Sequence, residues 1–308
     1  MKLRIVVNPS AGSGSAKRRI PEARRALETH GIVAEIAETR GPGDATRLLR
    51  EARSDGVECV AVMGGDGTLN EVCQGYIDAE GEALAGPDLA LLPSGTGGDF
   101  RKSFELGTSI EEAAARLATA PARPLDLGLL RLTSHDGHLV NRAFVNITSF
   151  GLGGLTDRLV NSGPKWMGGR AAFFLGSARA LIGYRNAPVR LRVDGVVCLE
   201  APILNVAIAN GRYFGGGMKI APDADPSDGL FDVVALVDLT RAQGIALARR
   251  IYSGSHLGQP GVRVAQGTRI EAEALVPNAE VLIDMDGETP GRLPLTARVA
   301  RGALRIRA

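Results

Sequence analysis

Aromatic residues make up only 4% of this 308-residue chain, and cysteine and histidine are scarcer still, at three and four. Cys59, Cys73 and Cys198 stand far apart and form no Cys-x-x-Cys pair, which excludes a disulfide framework or a zinc cluster and suits a reducing compartment. His30, His135, His138 and His256 show neither metal-ligand nor triad spacing; His135 and His138 flank Asp136-Gly137 in what reads as a hairpin turn. Net charge is only +2 and no polybasic run occurs, so nucleic acid is not an expected partner. There is no apolar run of membrane-spanning length, and the apolar part of Met1 to Val7 is too short for a signal peptide. The expectation is therefore a cytoplasmic protein.

Glycine, by contrast, is abundant at 40 residues. With 44% hydrophobic residues and a mean hydropathy of +0.04, the chain has ample core, and its length favours two domains. The glycines concentrate where short apolar runs end. The foremost case is Val62-Met63-Gly64-Gly65-Asp66-Gly67-Thr68-Leu69-Asn70-Glu71, which follows the strand-like run Cys59 to Val62. After it, Leu69, Val72, Cys73, Tyr76 and Ile77 recur at helical spacing. Glycines there let backbone amides approach an anion, and the following helix aims its positive dipole end at the same point. Thr68 and Glu71 fit a capping box that would start that helix. Asp66 would repel a phosphate unless a metal ion or a reacting hydroxyl lies between, which points to Mg-nucleotide chemistry.

Two further glycine loops sit at strand-to-helix junctions. Asn8-Pro9-Ser10-Ala11-Gly12-Ser13-Gly14 follows the strand Leu3 to Val7, and Pro93-Ser94-Gly95-Thr96-Gly97-Gly98-Asp99-Phe100 follows Leu89 to Leu92. Val33 to Glu38 reads as a strand ended by Thr39, Asp44 to Arg53 as a helix, and Ser109 with Glu112 opens another capped helix. Strands alternating with helices imply a parallel sheet whose carboxyl edge gathers all three loops. The expected first domain is 1–124.

After Pro124 short β-rich runs take over, among them Leu125 to Leu132, Leu139 to Thr148, Ile203 to Ala209, Leu230 to Val237, Arg269 to Ala274 and Val281 to Met285. This texture predicts a β-sandwich-like or barrel-like second domain, 125–294. Two helices interrupt it: one has Ala171, Phe174, Leu175, Ala178, Leu181 and Ile182 on a face, the other starts at Thr240 with Gln243 as capping partner. The segment Ala221 to Leu230 concentrates Asp223, Asp225 and Asp228, a hard-oxygen set suited to Mg²⁺ or Ca²⁺ and equally readable as a solvated acidic turn. Asp284-Met285-Asp286-Gly287-Glu288 gathers carboxylates at a strand end, and Asp194-Gly195 reads as a hairpin turn.

Taken in order, Asn8-Pro9-x-Ala11-Gly12, Gly64 to Glu71, Pro93-x-Gly95-Thr96-x-x-Asp99-Phe100, Ala221-Pro222 to Asp228-Gly229 and Asp286-Gly287-Glu288 resemble the motifs of the bacterial diacylglycerol kinase and lipid kinase family. Sphingosine and ceramide kinases share that catalytic domain, and NAD kinases share the Gly-Gly-Asp-Gly segment. The resemblance implies an α/β N-terminal domain of the NAD kinase and diacylglycerol kinase type, with the last strands, 295–308, returning to it. It implies ATP contacts at Asn8, Pro9, Ser10, Ala11, Gly12, Thr39 and Thr96, and phosphate contacts at Gly65, Asp66, Gly67, Thr68, Leu69, Asn70 and Glu71. It also implies Mg²⁺ held by Asp225, Asp228 and the Leu230 carbonyl, catalytic roles for Asp66 and Glu288, and Glu288 as the base for a lipid hydroxyl. A departure is Gly98, where many members carry Asn; Arg101-Lys102-Ser103 is also unusually basic.

The implied activity is an ATP-dependent lipid kinase visiting the inner face of the membrane, with diacylglycerol as first acceptor. A homodimer is compatible with it, and Trp166, Met167, Phe173 and Phe174 near Lys165 and Arg170 are candidate membrane or acyl contacts. The alternatives are a soluble-metabolite kinase of the NAD kinase type and a catalytically silent nucleotide-binding regulator.

Overall fold

The computed structural model describes residues 1–94, 98–161, 180, 183–277 and 279–308. Thr96, Trp166, Met167, Phe173, Phe174, Lys165 and Arg170, with nearly all of the helix expected from Ala171, lie outside the described residues. The chain divides into two compact units, Met1–Leu127 with Ala300–Ala308, and Gly128–Val299.

In the first unit, strands and helices alternate: β1 (Leu3–Val7), α1 (Ala11–Arg18), α2 (Ile20–Thr29), β2 (Ala34–Glu38), α3 (Asp44–Ser54), β3 (Cys59–Met63), α4 (Asp66–Cys73), β4 (Asp88–Leu91) and α5 (Ile110–Thr119). The strands run parallel in the order β4, β3, β1, β2. β1 and β3 are buried at every position because helices cover both faces of the sheet. Leu3, Ile5 and Val7 join Ala23 and Leu27 of α2 and Ala113 and Leu117 of α5 in one core cluster. By the period of two, Val6, Val60 and Val62 face the other way, the side on which α3 packs against α4. Ser109 caps α5 by accepting the Glu112 N–H.

The second unit begins within β5 (Arg123–Thr133) and continues with β6 (Leu139–Phe144), β7 (Ile147–Gly151), α6 (Leu152–Asn161), β8 (Ala187–Val193), β9 (Val196–Ala209), β10 (Phe231–Val237), α7 (Arg241–Ser253), β11 (Val262–Gly267), β12 (Arg269–Ala274), β13 (Leu282–Met285) and β14 (Glu288–Arg307). Its pairings are antiparallel, in the order β11, β10, β9, β7, β13, β14. Central strand β9 is buried on both faces: Val206 and Ile208 enter one core cluster, Ala207 and Ala209 a second one with Leu247 and Ile251 of α7. The Asp194-Gly195 turn joins β8 to β9 with φ of 48° and 82°, as a two-residue hairpin requires. Thr240 and Gln243 form the expected capping box.

Two expectations are corrected. Leu139 to Thr148 is two strands interrupted at Val145-Asn146, because the side chain of Asp286 takes the backbone N–H groups there. β11 was not anticipated; its alternation is weak, with Arg263 and Val264 both exposed at the edge of the sheet. The end of β14 returns to the first unit, where Ile306 pairs in parallel with Leu89 of β4.

Candidate active site

The three glycine loops of the first unit meet at the carboxyl edge of its sheet and are tied to one another by side-chain hydrogen bonds. Asn8 donates through Nδ2 to Thr68 Oγ1 at 3.1 Å, and its Oδ1 accepts the Ser10 N–H. Ser15 donates to Ser94 O, and Ser94 in turn donates to Gly64 O at 3.0 Å. Arg19, ion-paired to Glu22, donates to Pro93 O at 2.9 Å. The Thr39 N–H donates to Val7 O, setting the end of β2 beside the first loop.

These ties enclose a cavity of about 290 Å³ lined by Gly12, Gly65, Asp66, Leu69, Phe100 and Arg101 among others. Gly12, Ser13 and Gly14 have left-handed φ of 57°, 55° and 80°, a geometry from which backbone anion cradles are built. Gly64 and Gly65 are glycine for different reasons. A Cβ on Gly64 would lie 2.4 Å from Thr68 Oγ1, whereas one on Gly65 would meet nothing within 4 Å among the described residues, and Gly65 has an ordinary φ of −95°. The fold itself does not demand glycine at 65, so the space beside it suits the close approach of a ligand. A nucleotide phosphate at the amino end of α4 fits this opening.

The expected capping box at Thr68 and Glu71 is not formed. The helix starts three residues earlier, with Gly65 as its cap in place of Thr68, leaving Thr68 to hold Asn8. Glu71 turns instead to α3: its carboxylate accepts the Ala45 N–H at 3.4 Å, and its carbonyl accepts the Thr46 hydroxyl. Asn70 is buried and accepts from Gln74. Of the expected phosphate contacts, then, Gly65, Asp66 and Leu69 line the cavity, while Asn70 and Glu71 serve neighbouring helical structure.

Asp66 is the first residue of α4, and its carboxylate accepts the N–H groups of Asp99 at 2.8 Å and Phe100 at 3.4 Å. Burial pushes its pKa up, opposed by those two hydrogen bonds. Its visible work is to tie the third loop to the second.

In the second unit, Glu288 is exposed and opens β14 after the tight Asp286-Gly287 turn. That turn is held by side chains. Asp286 accepts Ile147 N–H at 2.9 Å and Val145 N–H at 3.3 Å; Asp284 accepts Gly287 N–H at 2.9 Å and the Ser149 hydroxyl at 3.1 Å. His135 donates to Thr289 O, so the hairpin expected at 134–138 lies against the start of β14. Asn146, buried between β6 and β7, donates to Tyr213 O, and its Oδ1 has no partner among the described residues. Arg212 then donates to Ala224 O in the acidic loop. Asn146, Ser149 and Arg212 were missed in the sequence; Asn146 and Ser149 are isolated polar residues in or beside a strand-like run, whereas Arg212, in the bend after β9, carries no such signal.

In the acidic loop, Asp225 Oδ1 accepts from the backbone and hydroxyl of Ser227, and Asp228 Oδ1 accepts Leu230 N–H. Among the described residues no cluster of three or more His, Cys, Asp or Glu is arranged to hold a metal. Two carboxylates and the Leu230 carbonyl remain a hard-oxygen donor set that fits a largely hydrated Mg²⁺. The field there is negative: burial raises the pKa of Asp232, and the charges of Asp228 and Asp223 raise it further. Buried His256 donates through Nε2 to Ile220 O at 2.9 Å and braces the approach to this loop.

Comparison with known proteins agrees with this arrangement. Residues 2–130 match the diacylglycerol kinase catalytic domain, and residues 146–308 match the YegS C-terminal NAD kinase beta sandwich-like domain. A Xanthomonas euvesicatoria protein named "Probable lipid kinase YegS-like" is 32% identical over 92% of this chain and 89% of its own length. The diacylglycerol kinase of Mycobacterium tuberculosis is 29% identical over 99% of this chain and 94% of its own. The crystal structure of a diacylglycerol kinase from Bacillus anthracis superposes with a TM-score of 0.70 at 22% identity, covering 99% of this chain and 96% of that one, a likeness of fold.

Proposed function

Because the chain belongs to the diacylglycerol and lipid kinase family, we propose that it transfers the γ-phosphate of Mg-ATP to a lipid hydroxyl, with diacylglycerol giving phosphatidic acid as the first acceptor to test. The observation that carries this reading is the cavity of the first unit, walled by three cross-tied glycine loops and opened at Gly65. When bound, Mg-ATP supplies the phosphoryl group and neutralises the charge that builds on it.

The protein's share is positioning and one proton transfer. Backbone groups at Gly12 and Gly65 and the amino end of α4 receive the nucleotide, and Asn8, Ser15 and Ser94 keep the loops in register. Glu288 accepts the acceptor hydroxyl's proton as its oxygen attacks phosphorus. Asp284 and Asp286 hold the turn that presents it. Asp225, Asp228 and the Leu230 carbonyl would bind Mg²⁺ as a structural ion. No described helix is long and apolar enough to cross a membrane, so the lipid would be met at the membrane surface.

The test is transfer of label from γ-labelled ATP to diacylglycerol, monoacylglycerol, phosphatidylglycerol, sphingosine and ceramide in mixed micelles, with NAD as soluble control and Glu288→Gln alongside. Label should enter a lipid, and the variant should lose about 10²- to 10⁴-fold in turnover with nucleotide affinity kept. Label in NAD alone would transfer the assignment to the soluble-metabolite class. ATP binding without any transfer would favour a regulator.

A further inference from the structure

Resting on the kinase reading, we infer that Arg101 is the cationic phosphate clamp of the nucleotide cavity and that Asp66 is its positioning residue. Among the described residues that line the cavity, Arg101 carries the one positive charge. It sits on the short 3₁₀ turn Phe100–Phe104, and Nη1 donates to Leu106 O at 2.7 Å, which fixes the direction of the side chain. The turn is pinned at its start. Asp66 takes the N–H groups of Asp99 and Phe100, the residues immediately before Arg101, while Lys102 ion-pairs with Asp99 at 2.6 Å.

Gly98 leaves room for this. Its φ of +105° is one that side-chain-bearing residues rarely adopt, and a Cβ there would stand 3.4 Å from both Cδ and Nε of Arg101. A side chain at 98 would be strained by this backbone conformation and would lie in contact with the guanidinium stem, so the glycine leaves the space beside Arg101 open. Among the described residues, the rest of the wall offers an anion backbone and hydroxyl dipoles, together with a partly buried carboxylate whose oxygens are directed to the third loop. A planar guanidinium supplies what that wall lacks: a permanent charge with a fork of donors that matches phosphate oxygens. The ligand chemistry is a phosphate chain, and its contribution should grow with the number of phosphates.

The experiment is calorimetric titration of ATP, ADP and adenosine into the full chain and into Arg101→Ala, Arg101→Gln and Arg101→Lys, with phosphatidic acid vesicles as a separate arm. Thermal melts accompany each variant. ATP affinity should fall about ten- to a hundredfold in the alanine and glutamine variants, adenosine binding should be unchanged, and lysine should restore part of the loss. Glutamine retains a donor for Leu106 O, so it separates the charge from the support of the turn if alanine melts early. Equal ATP affinity in parent and glutamine variant would overturn the inference and leave the kinase reading standing. An equal loss for ATP and adenosine, or a loss confined to the vesicle arm, would also overturn it. Failure of the parent to bind ATP would overturn both.

Discussion

In the first unit the candidate ligand contacts are backbone groups at glycine loops, whereas in the second they are carboxylates on turns, and the two regions are stiffened by different means. The loops are tied by hydroxyls and amides reaching backbone oxygens or one another, as in Ser15 to Ser94, Ser94 to Gly64 and Asn8 to Thr68. The Glu288 turn is tied in reverse, by the carboxylate of Asp284 taking the turn's own Gly287 N–H and that of Asp286 taking the Val145 and Ile147 N–H groups between β6 and β7. A phosphate needs donors that approach closely, and backbone can provide them only where side chains are absent. A base needs a charged oxygen at the end of a side chain, so its support must fix the turn beneath it.

The comparison is broken most forcefully at Asp286. Replacing it by Ala strands two backbone N–H groups at the β6–β7 interruption, and stability should fall by about 2–5 kcal/mol, read from denaturant melts. Lipid phosphorylation should fall with it while ATP affinity stays. If Asp286→Ala melts as the parent does, the turn is not held as described.

A paired substitution sharpens the first half. Gly64→Ala drives a Cβ into Thr68 and should cost about 1–3 kcal/mol by overpacking. Gly65→Ala should leave stability nearly unchanged and weaken ATP binding. The reverse pattern, Gly65→Ala unstable and Gly64→Ala tolerated, would remove the case for a ligand-facing opening.

The smallest effect is in pH dependence. Burial raises the folded-state pKa of Asp66 above its ordinary 3.8, so folding favours its protonated form. The associated stability is fully present below about pH 3.8 and is lost as pH rises through the raised folded value. Asp66→Asn, which cannot ionise, should therefore lack this decline in melting temperature as pH rises above about 3.8. Identical pH profiles for parent and variant would mean that the carboxylate is effectively solvated.

Much of this architecture was legible in the chain. In the first unit β3 is an uninterrupted apolar run and β1 is broken by Arg4 alone, because both faces of a parallel sheet are covered, and Gly-rich punctuation marks where they end. Motif order identified the Asp286-Gly287-Glu288 and acidic-loop segments. What misled was local pattern without tertiary context. Thr68 and Glu71 have capping-box spacing, yet Asn8 and α3 compete for those side chains, and Asp66 begins the helix instead. The run from Leu139 to Thr148 is apolar enough for one strand, and only the carboxylate of Asp286, more than a hundred residues away in sequence, divides it.

The sequence by itself determined the alternation of strands and helices in the first unit, the β-rich texture of the second, the places where glycine loops follow strands, and the family to which the chain belongs, because these depend on periodicity and residue type over short spans. Only the tertiary structure decided which loop residues face the cavity, that Gly64 serves packing while Gly65 leaves an opening, and that Arg101 stands against Gly98. Those outcomes depend on which distant side chain wins each hydrogen bond and each pocket of space, and no local pattern encodes that competition.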